Sequence, residues 1–165
     1  MTSTSSGQPV SELTRPARPI AFGVVVMVIG ILLAWWMTAG RALFGVSGDM
    51  VTWFAFTLGP VVAAIQIMTG IAIIRTARLG FHLRRSTVVC LSITWAVGLL
   101  FGLTVPDTTA DGLESAFSTF GGPVALEIGI GFSNPLGVIT VAMAIFALVF
   151  SIRDSRGPRP VDDED

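Results

Sequence analysis

The stretch RTARLGFHLRR, residues 75–85, contains four arginines and no acidic residue, and a long uncharged apolar run lies on each side of it. Short loops rich in arginine remain on the side of a membrane from which the chain is inserted. A basic turn between two apolar runs therefore predicts a membrane hairpin whose turn lies in the cytoplasm.

Two further apolar runs flank this hairpin, one before it and one after it. Each run is close to the ~20 residues that a helix needs to cross a bilayer. We therefore expect an all-α membrane protein, a bundle of four transmembrane helices within residues 20–152. The residues on either side, 1–19 and 153–165, are expected to form disordered cytoplasmic tails, the second of them acidic. The four predicted helices cover residues 20–38, 52–74, 87–105 and 134–152.

The composition is that of a membrane protein. Hydrophobic residues make up 52% of the 165 residues and charged residues 13%, whereas soluble domains have roughly 25% charged residues. The net charge of −1 gives no reason to expect a nucleic-acid partner. The single cysteine, Cys90, excludes an intramolecular disulfide and a Cys-x-x-Cys redox or zinc site.

The arginines are sorted by side of the membrane. If both termini are cytoplasmic, nine of the ten arginines lie in cytoplasmic segments and only Arg41 lies outside. The positive-inside rule favours this orientation. The absence of lysine and tyrosine is typical of a GC-rich bacterial genome, so we expect a multi-pass protein of the bacterial cytoplasmic membrane.

The longest connection, residues 106–132, is acidic and contains no basic residue. Leu113, Phe117 and Phe120 recur at helical spacing, which predicts a short amphipathic helix over residues 111–120 on the outer surface. Connections of this length are uncommon unless they are functional. Its carboxylates are therefore candidates for recognition of a partner: Asp107, Asp111, Glu114 and Glu127.

The last span is expected to begin at Asn134, because asparagine at the N-cap followed by Pro135 is a typical helix start. Glu127 stands just before this run, and an alternative to plain solvation is that it is drawn into a partly buried site. The spacing of Asp107 and Asp111 does not match the dense ligand array of a calcium loop. No metal site is therefore expected.

Polar groups are sparse within the four runs. None has a charged residue near its middle, although proton relays and transporters of charged substrates normally do. Gln66 is the most polar side chain there, and it either joins helices or contacts a ligand. Gly59 and Pro60 predict a kink in the second span, which is either a hinge or simply a bend.

The third span carries the features expected of a packing helix. Trp95 lies too deep for the aromatic belt at the membrane surface, so it fills the interior or an intersubunit surface. Gly98 and Gly102 form a small-xxx-small pair that allows close approach of another helix, either within the chain or in a dimer.

The basic turn has a second possible role. His82 lacks a second metal ligand nearby and is expected to be a solvated loop residue. The arginines of the turn are candidates for contact with anionic lipid headgroups, an attraction available to basic residues near a membrane surface. They are Arg75, Arg78, Arg84 and Arg85.

These features favour a non-enzymatic accessory, scaffold or regulatory protein that acts through helix packing and its acidic outer loop. The expected partners are the lipid bilayer and either a second copy or another membrane protein. The alternative is a small oligomeric transporter or channel for a neutral or weakly polar solute. An enzyme is disfavoured because His82 and the outer carboxylates fall on opposite sides of the membrane, and no cofactor is expected.

Overall fold

A computed structural model of the chain describes residues 17–110 and 112–157. Most of both predicted tails lies outside the described residues, as does Asp111. Within the described part the chain forms five α-helices, a 3-10 turn and a β-hairpin. In chain order they are α1 Ala17–Ala39, the 3-10 turn Gly40–Phe44, α2 Asp49–Phe56, α3 Leu58–Arg78, α4 Arg85–Thr104, β1 Asp107–Thr109, β2 Gly112–Glu114 and α5 Ser118–Asp154.

Four stretches of helix in the described residues are long and apolar enough to cross a membrane. The prediction of four apolar helices is therefore confirmed. Apolar length predicts them well because insertion of a helix depends mainly on its own composition. These stretches are Ile20–Phe44, Asp49–Arg78, Arg85–Thr104 and Ser118–Asp154.

The second stretch is two helices rather than one. The chain breaks at Thr57, whose φ of −116° and ψ of −80° are not helical, and α3 starts at the next residue. Pro60 consequently lies in the first turn of α3, where backbone N–H groups have no intrahelical partner and a missing one costs little. The kink predicted at Gly59 and Pro60 is a break two residues earlier.

The outer connection was predicted wrongly. Residues 107–109 and 112–114 form an antiparallel pair of strands in which Asp107 is paired with Glu114 and Thr109 with Gly112, so the described residues of 111–120 do not form the predicted amphipathic helix. β-branched threonines favour strands, and Gly112 adopts a φ of 122° that suits glycine. The helical spacing that suggested the amphipathic helix combines residues of β2 with the start of α5.

The start of the last span was also predicted wrongly. α5 begins at Ser118 and bends at Gly122, whose φ is 64°. Pro123 follows this bend and begins the longer part of α5, a position at which its missing N–H costs little. Asn134 and Pro135 lie inside α5 and cap nothing.

The helices pack as a bundle in which α1 lies mainly against α3 and α4 mainly against α5, while α3 also contacts α5. Gly23 and Gly70 bring α1 and α3 together, since a Cβ on Gly23 would lie 2.8 Å from the carbonyl oxygen of Gly70 and one on Gly70 would lie 2.6 Å from that of Gly23. One buried apolar cluster lies towards the end of the bundle that carries β1 and β2, and it includes Leu33, Val62 and Phe101. Another lies towards the basic turn and includes Val26, Ile73, Cys90 and Leu91.

Candidate functional site

Buried charges lie at both ends of α4, whereas the charge pattern of the sequence predicts only that the middles of the spans are uncharged. Asp107 follows the C-terminal end of α4 and is 1% exposed, and Asp154 lies beside its N-terminal end and is 4% exposed. A buried carboxylate is stable only when it is paired or hydrogen-bonded. The surroundings of these two carboxylates therefore define the two most specific polar sites in the described residues.

The Asp107 carboxylate holds the loop between the 3-10 turn and α2. Its Oδ2 accepts a hydrogen bond from the backbone N–H of Gly48 at 3.0 Å. Its Oδ1 accepts one from the N–H of Met50 at 3.2 Å and one from the N–H of Thr108 at 2.9 Å. Gly48 leaves no room for a side chain here, because a Cβ would collide with Asp107 and with the carbonyl oxygen of Thr108. Asp107 thus ties together segments that are distant in sequence.

Arg41 is the cationic partner of Asp107 and is 1% exposed. Its Nη1 lies 3.8 Å from Asp107 Oδ2, and its guanidinium carbon lies 5.1 Å from the centre of the Phe54 ring. That ring in turn stacks on Phe101 of α4, with 5.9 Å between the ring centres. The guanidinium is therefore held by an ion pair on one side and by a cation–π contact on another.

The Arg41 guanidinium is incompletely satisfied. Neither Nη1 nor Nη2 has a hydrogen-bond partner within the described part of the chain, and the 3.8 Å between Nη1 and Asp107 Oδ2 is too long for a hydrogen bond. A buried donor without an acceptor costs ~1–3 kcal/mol, and more when it is charged. The attraction of Asp107 is therefore what makes burial of this arginine tolerable.

Asp154 forms the corresponding site at the other end of α4. Its Oδ2 accepts hydrogen bonds from the backbone N–H of Arg84 at 3.1 Å and from Thr87 Oγ1 at 2.7 Å. Arg84 Nε lies 3.3 Å from Oδ1, although the Arg84 side chain is 64% exposed. Asp154 therefore acts in place of an N-cap residue for α4, where a negative charge is also favoured by the helix dipole.

Neither site was recognised from the sequence. The arginine pattern predicts only that Arg41 lies outside, and the sequence places Asp154 in a predicted disordered tail without a partner. A signal for Asp154 is its position in the last turn of α5. The helix dipole disfavours a negative charge there, so an acidic residue at that position indicates a stabilising partner in another part of the chain. The sequence makes Asp107 one of four candidate carboxylates of the acidic loop but does not predict its burial.

Gln66 lies inside the bundle and is fully buried. α1 comes close to it at Gly30, where a Cβ would collide with Gln66 Cβ. Neither Nε2 nor Oε1 of Gln66, nor Nε1 of Trp95, has a hydrogen-bond partner among the described residues. The Thr69 hydroxyl, one turn further along α3, donates its hydrogen to the carbonyl oxygen of Ile65 at 2.8 Å and is therefore not available as a donor to Gln66 Oε1.

The glycine pair of α4 faces α1. A Cβ on Gly98 would lie 3.0 Å from Leu33 Cδ2, and one on Gly102 would collide with the indole of Trp36. Trp36 Nε1 also donates a hydrogen bond to the carbonyl oxygen of Leu99 at 3.0 Å. This face of α4 is therefore occupied within the chain. Gly59 plays a similar part in α3, where a Cβ would lie 2.6 Å from Thr38 Cγ2.

The remaining outer candidates do not gather at one point. Glu114 is half-buried in β2 opposite Asp107, whereas Glu127 lies on α5 with an exposed side chain. The described part of the chain therefore does not bury Glu127 by itself. Asp111 lies outside the described residues.

At the other end of the bundle, the arginines of the basic turn differ in their surroundings. Arg84 contacts Asp154, whereas Arg75 and Arg78 project from the end of α3 and have no carboxylate within 4.0 Å among the described residues. Arg85 and His82 are exposed. Within the same residues, no group of three His, Cys, Asp or Glu side chains is placed to hold a metal ion.

Four apolar helices around a core with buried charges at its ends indicate a helical multi-pass membrane protein. Comparison of the chain with known protein families, with curated proteins and with solved structures finds no match.

Proposed function

We propose that this chain is a non-enzymatic accessory or scaffold protein of a membrane, which acts by presenting a rigid helical surface to another membrane protein. The observation that carries this proposal is the fixing of α4 at both ends, by Asp107 and by Asp154. Alternating-access transporters move one bundle against another so that each end opens in turn. A bundle in which buried carboxylates join neighbouring segments at both ends favours a fixed surface over such motion.

α5 supports a contact role because it is the span least covered by the rest of the chain. Only 22% of its most apolar stretch is buried, against 44% for α4. Val138 on α5 is 69% exposed, and Val124 and Ile145 on the same helix are 68% and 45% exposed. We propose this face as the contact surface, and the exposed acidic Glu127 as a polar contact at its outer end.

We also propose that both termini are cytoplasmic and that the membrane is the bacterial cytoplasmic membrane. Arg41, the one arginine that this topology leaves outside, is buried against Asp107 and does not present its charge to the outer surface. A reporter fused to the carboxy-terminus should be active only in the cytoplasm. Activity of that reporter outside would refute the topology.

The accessory role is tested on the full chain with a photo-crosslinking residue placed at Val138, followed by purification from the native membrane and intact-mass analysis. A stoichiometric foreign subunit crosslinked from position 138 is the expected result. The control position is Leu100, which is 51% exposed on α4. Only lipid adducts, or equal crosslinking from both positions, would contradict the proposal.

A small oligomeric transporter or channel for a neutral or weakly polar solute is the second candidate. The observation in its favour is Gln66, whose amide atoms are buried and without a partner among the described residues. An unpaired buried amide is costly and is a natural point of contact for a polar solute. Flux of neutral solutes into liposomes containing the protein, abolished by Gln66→Leu, would support this role. Absence of flux with the unaltered protein would exclude it for the solutes tried.

A further inference from the structure

The last two turns of α3 line a surface groove that combines apolar and basic side chains. The groove has a volume of about 410 Å³ and is lined by Ile71, Ile74, Arg75 and Arg78. Their spacing of three, four and seven residues places them on one face of the helix. Because a helix rises 1.5 Å per residue, the isoleucines lie about one turn deeper along α3 than the arginines.

The two arginines of this groove are available for a ligand. Neither Arg75 nor Arg78 has a carboxylate within 4.0 Å in residues 17–110 and 112–157, whereas Arg84 nearby is already paired with Asp154. Arg75 and Arg78 are exposed. Ile74 is fixed from behind by α1, since a Cβ on Gly23 would lie 2.5 Å from its Cγ1.

We propose that this groove binds one anionic phospholipid, with the phosphate on Arg75 and Arg78 and an acyl chain along Ile71 and Ile74. Guanidinium groups form short, charge-assisted hydrogen bonds with phosphate oxygens. The long arginine side chains can reach the headgroup level while their stems cover apolar surface. A free phosphate would engage the arginines but not the isoleucines. The proposal requires a membrane location, but it does not rest on the accessory role.

A second cleft beside the basic turn is a poorer site for an anion. It has a volume of about 360 Å³ and is lined in part by Phe81, His82, Arg84 and Asp154. The Asp154 carboxylate repels an anion and already neutralises Arg84. The groove on α3 carries two positive charges and no acidic residue among those that line it. The structure therefore distinguishes arginines that the sequence presented as one cluster.

The test compares binding of phosphatidylglycerol and phosphatidylcholine with identical acyl chains to the full-length protein in neutral detergent, measured by native mass spectrometry. The unaltered protein should retain phosphatidylglycerol preferentially. The expected preference for phosphatidylglycerol over phosphatidylcholine is roughly 30-fold, which is the attraction that two basic residues have for an anionic lipid surface expressed as a ratio of affinities. The double variant Arg75→Gln/Arg78→Gln should lose most of this preference.

The matched control is Arg153→Gln/Arg156→Gln, which removes two exposed charges at the end of α5 and should leave the preference unchanged. An equal loss in this control would overturn the proposal, because the effect would then come from general surface charge. Ile71→Ala/Ile74→Ala should weaken lipid binding without affecting binding of inorganic phosphate. Displacement of the lipid by millimolar inorganic phosphate would instead show a simple anion site and would also overturn the proposal.

Discussion

Replacement of Asp107 by asparagine should destabilise the protein more than any other single change at the end of the bundle that carries β1 and β2. The carboxylate accepts backbone hydrogen bonds from Gly48, Met50 and Thr108 and lies 3.8 Å from Arg41 Nη1. Asparagine keeps one acceptor oxygen, and its NH₂ group would face either the N–H of Gly48 or that of Met50. Arg41 would remain buried without a counter-charge.

The magnitude follows from these losses. Removing one partner of a buried ion pair costs ~3–5 kcal/mol, because the other charge is left uncompensated. The loss of a hydrogen bond to a charged acceptor contributes ~1.5–3 kcal/mol of that total. We therefore expect Asp107→Asn to lower the free energy of unfolding by ~3–5 kcal/mol. Arg41→Met should cost less, because the backbone N–H groups still satisfy Asp107.

The assay is denaturant unfolding of the full chain in detergent, followed by tryptophan fluorescence, for both single variants and the double variant. The double variant should be more stable than the sum of the single effects predicts, by ~1.5 kcal/mol or more, as groups in contact are coupled. Glu114→Gln is the control, because Glu114 is paired with Asp107 across the hairpin but is not fully buried. A cost below ~1 kcal/mol for Asp107→Asn, or strict additivity in the cycle, would refute the reasoning.

Further predictions concern the other contacts. Asp154→Asn should cost only ~1–2 kcal/mol, the value of a lost cap, because Arg84 stays in water, and hydrogen exchange should quicken at Arg84. Gly98→Leu should cost ~1–3 kcal/mol by overpacking against Leu33, whereas Ala96→Leu on the exposed face should be neutral; equal detergent stability of both would contradict this packing. Gly48→Ala should also cost ~1–3 kcal/mol in the unfolding assay, through collision rather than backbone strain, since its φ of −142° suits any residue.

Local signals predicted the helices well and their ends poorly. The chain breaks at Thr57, two residues before the predicted kink at Gly59 and Pro60, and α5 begins at Ser118, far before its predicted start at Asn134. Several positions in this chain have the glycine, asparagine or proline residues that are typical of a helix start, so these residues alone do not determine where a helix begins. Contacts such as that of Gly59 with Thr38 and that of Gly129 with the carbonyl of Thr104 involve other helices, which local rules cannot include.

The sequence alone determined that this chain has four helices able to cross a membrane, because the free energy of inserting a helix is a sum over its own residues. It also predicted the glycine face of α4 and the polar interior residue Gln66. The orientation in the membrane and the function remain predictions.

Only the tertiary structure decided which charges are buried and which are free. Arg41 meets Asp107, and Arg84 meets Asp154, because the folding of the bundle brings together helix ends that are distant in the chain. Burial and pairing of a charge depend on the three-dimensional arrangement of its neighbours, and Coulomb interactions are strong only at short distance and low dielectric. The arginines that form a single cluster in the sequence therefore differ in the structure. Arg84 pairs with Asp154, whereas Arg75 and Arg78 line an open groove.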